Sequence, residues 1–386
     1  MIIPRKIANL IEKRVFGEPA VVVIYGPRQA GKTTLVTELL SKLNREDIAI
    51  FNGDDLRTRD LFGTPSLDLL KNAVGDKRYL FIDEAQNIPN IGLSLKLLFD
   101  NLKIHIIVTG SASFDLANKL NEPMTGRSSA FTLYPIAAEE KPWEFGGAEI
   151  ETTNRLKEFL RFGMYPKVLT MAGEDDKIQY LENYINNYLY KDVLALETIR
   201  KPKKIIDLLS MLALQIGSQV SISELSVNLG ISKLVVEKYL DVLEKMFVII
   251  NLRGFSRNLR KEINKTGKYY FTDIGVRNAL IRNFNSLELR DDVGALFENW
   301  FVVEKIKLAI NTRHSANFYF WRTYDQQEID LIEERDGKLF GFECKWSEKN
   351  KHKPPSDWLK TYAEAKFDIV NPKNCFGFLG LRNEVE

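Results

Sequence analysis

The sequence predicts a multidomain α/β protein: an N-terminal parallel-sheet core, a helical subdomain, a three-helix segment with two strands, and a smaller C-terminal α/β domain. Three observations point there. Residues 1–135 alternate short β-branched runs with segments of helical spacing, the pattern of a parallel sheet covered by helices. Residues 136–202 carry helix-patterned stretches with no strand run between them. From residue 286 a long helix precedes several strand-like runs. A chain of 386 residues is also too long for one ordinary core.

In the first 135 residues the strand candidates are "AVVVIY", "DIAIFN", "RYLFID" and "KIHIIVTG", and Thr33 to Leu43 and Ile91 to Leu102 have helical length and spacing. Directly after the first strand, "YGPRQAGKTT" satisfies G-x-x-x-x-G-K-[ST] at Gly26, Gly31, Lys32 and Thr33. Such a loop curls at its glycines so that its amides face phosphates, and the helix that follows adds its positive end. The whole loop, Gly26, Pro27, Arg28, Gln29, Ala30, Gly31, Lys32, Thr33 and Thr34, is therefore the expected ATP-binding element. Lys32 would reach the β- and γ-phosphates and Thr33 would bind Mg²⁺. A glycine-rich turn with a surface lysine fits the same spacing, but the strand before and helix after favour phosphate.

"RYLFIDEAQ" ends a buried strand in Asp83-Glu84. On a strand expected beside the phosphate-loop strand, Asp83 would hold Mg²⁺ through water and Glu84 would polarise the attacking water as general base. "IIVTGSAS" offers Ser111, or Thr109, as a γ-phosphate sensor or water-orienting group, with simple loop capping as the plain alternative. "MTGRSSAF" offers Arg127 as an arginine finger on a neighbouring subunit's ATP, as a sensor on its own, or as a packing residue. The finger reading brings with it an expected homo-oligomer.

The middle of the chain changes character. "RLKEFLRFGMYP" and "DKIQYLENYINNYLYKDVLALETI" read as helices of a lid-like subdomain over 136–202. Residues 203–285 give "KIIDLLSMLALQIG", then "SISELSVNLG" with Ser221 or Ser223 as N-cap and Gly230 as stop, then "SKLVVEKYLDVLEKM". The strands "FVIINL" and "KYYFTD" follow, so the segment reads as a winged helix-turn-helix. Its wing gathers Arg253, Arg257, Arg260, Lys261, Lys265 and Lys268 against the single acid Glu262, a composition suited to DNA phosphates. The recognition-helix candidate carries Lys233, Glu237 and Lys238 and no Arg or Asn cluster to read base edges.

The last domain, 286–386, starts with "GALFENWFVVEKIKLAI" and continues through "NFYFWRT", "QEIDLIEER" and "KLFGFECKW", with "RDGK" as a hairpin turn. Strand alternation puts Glu343 and Lys345 on one face and Cys344 on the other. Asp330 and Glu343 are candidate ligands for Mg²⁺ or Mn²⁺, Lys345 the residue that would orient the attacking water, and Glu298 a further ligand from the helix. Glu304 is a weaker helix candidate, and Gln327 and Glu328 could supplement the set. A salt-bridge cluster on a small sheet is the alternative.

The series "GPRQAGKTTL", "LFIDEAQ", "VTGSAS", "GRSSAFTLYP" and "RFGMYPKVL" resembles the archaeal and bacterial AAA-type ATPases that carry an uncharacterised C-terminal domain, although Met164 stands where a second glycine is usual. The resemblance runs over nearly the whole chain and implies an AAA-type core, a helical lid and a winged helix. The order helix acid, Asp330, hairpin, Glu343-x-Lys345 is similar to the PD-(D/E)xK nuclease superfamily, with Ile329 in place of the frequent proline. That similarity implies a restriction-endonuclease-like C-terminal domain.

Composition excludes several classes. A formal net charge of +2 gives no whole-molecule field, so a nucleic-acid surface would be local. Two cysteines and three scattered histidines make no disulfide framework or zinc site. No stretch approaches the roughly 18 apolar residues of a membrane span, and "MIIPRKIANLIEKRVF" reads as an amphipathic helix; a cytoplasmic protein is expected. Two functions compete: an ATP-driven enzyme acting on DNA, and a signalling or scaffold ATPase whose C-terminal fold docks a partner. A small-molecule kinase shares the loop but not the Asp83-Glu84 pair.

Overall fold

The computed structural model describes residues 2–111, 124, 126–140, 149–190, 193, 201–256, 267–323, 325–347, 353–362 and 364–381. The chain divides into two compact units, Ile2–Pro135 with Lys245–Phe247, and Ile136–Glu244 with Val248–Glu386.

The N-terminal unit is built on a five-stranded parallel sheet. Its elements run α1 (Ala8–Val15), β1 (Val21–Tyr25), α2 (Lys32–Leu40), β2 (Ile48–Asn52), α3 (Leu56–Gly63), α4 (Leu67–Val74), β3 (Tyr79–Asp83), α5 (Ile91–Leu102), β4 (His105–Gly110) and β5 (Ser128–Thr132). The strand order is β2-β3-β4-β1-β5. All of β3 and all of β4 are buried, as expected for strands covered on both faces by helices. The order corrects one expectation: β3 does not neighbour the phosphate-loop strand, because β4 lies between them. β4, which carries Thr109, therefore lies between the phosphate-loop strand and the strand that carries Asp83.

The C-terminal unit begins with α6 (Glu149–Phe162), α7 (Pro166–Thr170) and α8 (Glu174–Tyr184), the last running into a π-helical turn at Ile185–Leu189. Next come α9 (Pro202–Leu214), β6 (Gln219–Val220), α10 (Ile222–Leu229), α11 (Lys233–Lys245), β7 (Ile249–Gly254), β8 (Gly267–Phe271) and α12 (Ile274–Leu280). Ser221 is the N-cap of α10, its hydroxyl accepting from Glu224 N–H, and Gly230 ends that helix at φ +62°. Then follow α13 (Val293–Thr312), β9 (Asn317–Arg322), β10 (Glu328–Arg335), β11 (Lys338–Cys344), α14 (Ser356–Thr361), β12 (Lys366–Val370) and α15 (Cys375–Phe378).

Strands that the sequence assigns to two domains form one mixed seven-stranded sheet, β12-β11-β10-β9-β7-β8-β6. The join is the parallel pairing of Arg253 with Tyr319 and Gly254 with Phe320. α13 packs its apolar residues against this sheet: Phe297, Trp300 and Phe301 share a core with Tyr270, Leu331 and Phe342. The β10–β11 turn is two residues long, Asp336 and Gly337 both having positive φ, the geometry of a tight hairpin. β10 carries an irregularity between Ile329 and Ile332. Those two isoleucines share one cluster while Leu331 belongs to the other, so one extra residue is accommodated at Asp330–Leu331.

Candidate functional site

The phosphate loop connects β1 to α2 through three residues of positive φ: Gly26 at 150°, Gln29 at 61° and Gly31 at 98°. Gly26 admits no side chain, since a Cβ there would lie 2.0 Å from the Leu133 carbonyl oxygen. The Lys32 ammonium is buried and donates to the carbonyls of Gly26 (2.8 Å) and Pro27 (2.9 Å). Arg5, which sequence reasoning missed, braces the loop: one guanidinium nitrogen donates to Ala30 O (2.7 Å) and the other to Tyr134 O (2.6 Å). Nothing in the local sequence around Arg5 signals this, because its partners lie 25 and 129 residues away.

At the end of β3 the Asp83 carboxylate accepts a hydroxyl on each oxygen. Thr33 donates to Oδ2 at 2.8 Å and Thr109 donates to Oδ1. Glu84 follows in a left-handed backbone conformation (φ 49°), its N–H directed at Asp83 Oδ1 (3.2 Å) and Thr109 Oγ1 (3.3 Å). Gln86 is the second residue missed: its amide donates to Glu84 Oε2 (2.5 Å) and to Ser111 Oγ (3.0 Å), tying the candidate base to the candidate sensor. Its signal was present in "DEAQ", two residues beyond Glu84. Arg127 forks onto Asp100 of its own chain (Nε–Oδ1 2.9 Å, Nη2–Oδ2 3.3 Å), which holds the Asp100 carboxyl below its usual range. Thr33 and Asp83 fit a Mg²⁺ ion: both are hard oxygen donors, and the carboxylate charge meets only neutral hydroxyl and amide donors.

The second candidate site lies in the C-terminal unit. Asn299 of α13 clasps β8, accepting from Phe271 N–H (2.7 Å) and donating to Phe271 O (2.8 Å). That clasp sets Lys268 and Tyr270, one face of β8, against Glu298, one residue earlier on α13. Tyr270 donates to Glu298 Oε1 at 2.6 Å. The Lys268 ammonium, 2% exposed, lies 3.0 Å from Glu298 Oε1, 2.6 Å from Glu328 Oε1 and 3.6 Å from Asp330 Oδ1. Asp330 Oδ2 accepts the Cys344 N–H (2.9 Å), and Lys345 donates to Glu343 Oε1 (2.6 Å). Burial, with repulsion from Asp330, pushes the carboxyls of Glu298 and Glu343 up to about 7; burial also raises Asp330. Burial alone would lower the Lys268 ammonium, but Glu298, Asp330 and Glu328 hold it above the usual lysine range.

Two expectations are corrected here. Lys268 is not a wing residue facing DNA, since its ammonium is buried among three carboxylates. Nor do Glu298, Asp330 and Glu343 fit a divalent ion as arranged. Their charge is already met by cations: the Lys268 ammonium lies among Glu298, Glu328 and Asp330, and the Lys345 ammonium is bonded to Glu343. Glu304 is taken up elsewhere, bonded to Lys307 (2.8 Å) and the Ala138 N–H (2.6 Å). Gln327 accepts from the Asp357 N–H through its side chain (3.2 Å). Of the remaining wing cations Arg253 is exposed, whereas Arg257, Arg260, Lys261 and Lys265 lie outside the described residues.

Comparison with known proteins finds three family matches along the chain. Residues 18–141 match a family described as an AAA domain, residues 153–287 a domain of unknown function (DUF8612), and residues 293–376 a second one (DUF4143). The AAA-domain match spans all five strands of the parallel sheet and the phosphate loop. An uncharacterized protein of Mycobacterium tuberculosis is 29% identical over 349 residues, 89% of this chain and 74% of that protein. One from Methanocaldococcus jannaschii is 25% identical over 368 residues, 91% of this chain and 80% of its own length. An uncharacterized ATP-binding protein of the same archaeon is 29% identical over 103 residues, 25% of this chain and 28% of that protein. Among the described residues no helix is long and apolar enough to cross a membrane.

Proposed function

We propose that the N-terminal unit hydrolyses ATP with Mg²⁺. The observation that carries this reading is the Asp83 carboxylate bonded to Thr33 of the phosphate loop and to Thr109 of β4, with Glu84 next in the chain. A fold that only bound nucleotide would have no use for a second carboxylate fixed in this way. The loop amides and the Lys32 ammonium would bind the phosphates, and Thr33 and Asp83 would hold the ion. Mg²⁺, when bound, supplies neutralisation of phosphate charge. Glu84 would accept a proton from water as the water oxygen bonds to the γ-phosphorus and the bond to the β-bridging oxygen breaks. Gln86 supports this role by holding Glu84 and Ser111 in one network.

Phosphate release from ATP, followed with and without Mg²⁺, tests the reading. Lys32→Ala should bind ATP poorly and turn over none. Glu84→Gln should keep ATP affinity and lose at least about 100-fold in turnover, the low end of what a general base contributes. Wild-type turnover in Glu84→Gln would remove Glu84 from the mechanism.

A further inference from the structure

The C-terminal acid cluster has a cation of its own. Lys268 comes from β8, 62 positions before Asp330, and reaches three of the four carboxylates of the cluster. We propose that Lys268 is a built-in counter-cation that fills the ground between Glu298, Glu328 and Asp330, so that the cluster is a lysine-pinned junction that neither binds Mg²⁺ nor cleaves phosphodiesters.

The lysine is held in place. β8 is an interior strand, paired to β7 on one side and β6 on the other. The Asn299 clasp fixes its end to α13, and the ammonium also lies 5.8 Å from the centre of the Phe320 ring. Withdrawing Lys268 would therefore leave the buried Asp330 and the half-buried Glu298 and Glu328 facing one another, with strand pairing opposing any shift of the backbone. A divalent ion brought to the same oxygens would lie against the ammonium, where like charges in a poorly solvated site repel strongly. The feature most favourable to a metal is Glu343 Oε2, buried without a hydrogen-bond partner. It is a single oxygen, whereas Mg²⁺ takes about six in near-octahedral array. The pin also has a structural use. It draws together a strand of the 203–285 segment, the long helix α13 and β10, the elements on either side of the β7–β9 join.

The test is Mn²⁺ binding to the full chain without nucleotide, read by the electron-spin resonance of free Mn²⁺ and by thermal shift. Asp330→Asn serves as the control for site. Wild type should show no Mn²⁺ site that Asp330→Asn removes. Lys268→Met should gain Mn²⁺ affinity by tenfold or more, and Asp330→Asn in that background should abolish the gain. A wild-type Mn²⁺ site lost in Asp330→Asn overturns the proposal, as does a folded Lys268→Met that gains none. Should Lys268→Met fail to fold, the wild-type arm decides, joined by a cleavage assay on linear and circular DNA with Mn²⁺. Cleavage that Asp330→Asn removes would overturn the proposal, and its absence alongside absent Mn²⁺ binding upholds it.

Discussion

Asp83 and Asp330 stand at similar places, each buried on a strand, yet their partners are of opposite kinds. Asp83 meets two threonine hydroxyls, from α2 and β4. Asp330 meets a backbone amide on one oxygen and faces the Lys268 ammonium with the other. Hydroxyls stabilise a carboxylate without cancelling its charge, so the attraction for an added cation survives. An ammonium cancels it. The difference teaches that in reading a cluster of acids the donors already present have to be counted along with the acids.

The hardest strain on this comparison is the same substitution at both sites. Asp83→Asn should lower Mg²⁺-ATP turnover by about three orders of magnitude, the several kcal/mol that a metal ligand at a phosphoryl group supplies. Asp330→Asn should leave turnover within about twofold. Comparable losses in both would join the two regions in one mechanism and break the contrast. Next in size is Lys268→Met, measured by urea unfolding. Removing one partner of a buried ion cluster costs roughly 3–5 kcal/mol, so the C-terminal unit should unfold at clearly lower urea while nucleotide affinity persists. An unchanged midpoint would mean that the ammonium is not holding the carboxylates.

A pH series sharpens the same point. Glu298 and Glu343 have carboxyls raised from 4.5 to about 7 in the folded chain. Groups with raised folded pKa bind more protons folded than unfolded between those values. Their stabilisation is complete below about pH 4.5 and is lost as pH rises through 7. Each proton released costs about 1.4 kcal/mol per pH unit over that window. The C-terminal unit should therefore lose stability from pH 5 to pH 7.5. A flat or rising profile would mean that the two carboxyls are ionised at less cost than their burial implies.

The two regions also differ in how far the sequence revealed them. The phosphate loop is ten consecutive residues whose chemistry follows from their spacing, and the helix of Ile91–Leu102 matches its expected bounds. The expectation for β3 failed only in its neighbour, because strand order in a parallel sheet is set by crossovers that local pattern does not encode. Lys268 was hidden for a different reason. It ends a run of five other Arg and Lys residues from Arg253, and a basic run between strands reads as a solvated wing. What separates it is that "KYYF" is buried throughout, which depends on Asn299 and Glu298 of α13, about thirty residues on. The join of β7 to β9 spans 66 positions and is equally silent in sequence.

The smallest effect falls on the residue that binds the first site together. Gln86 donates to Glu84 and to Ser111. Gln86→Leu keeps the volume and removes both donors. A neutral hydrogen bond to a charged group contributes about 1.5–3 kcal/mol, and part of that would be recovered by water, so turnover should fall by roughly tenfold. ATP affinity should hold, since the loop amides, Lys32 and Thr33 are untouched. The split between the two readouts identifies the role: a fall in turnover at constant affinity makes Gln86 the residue that aims Glu84. Equal loss in both would make it a prop for the loop, and in that case the carboxylate at position 84 would be positioned by its left-handed backbone and the Thr109 contact alone.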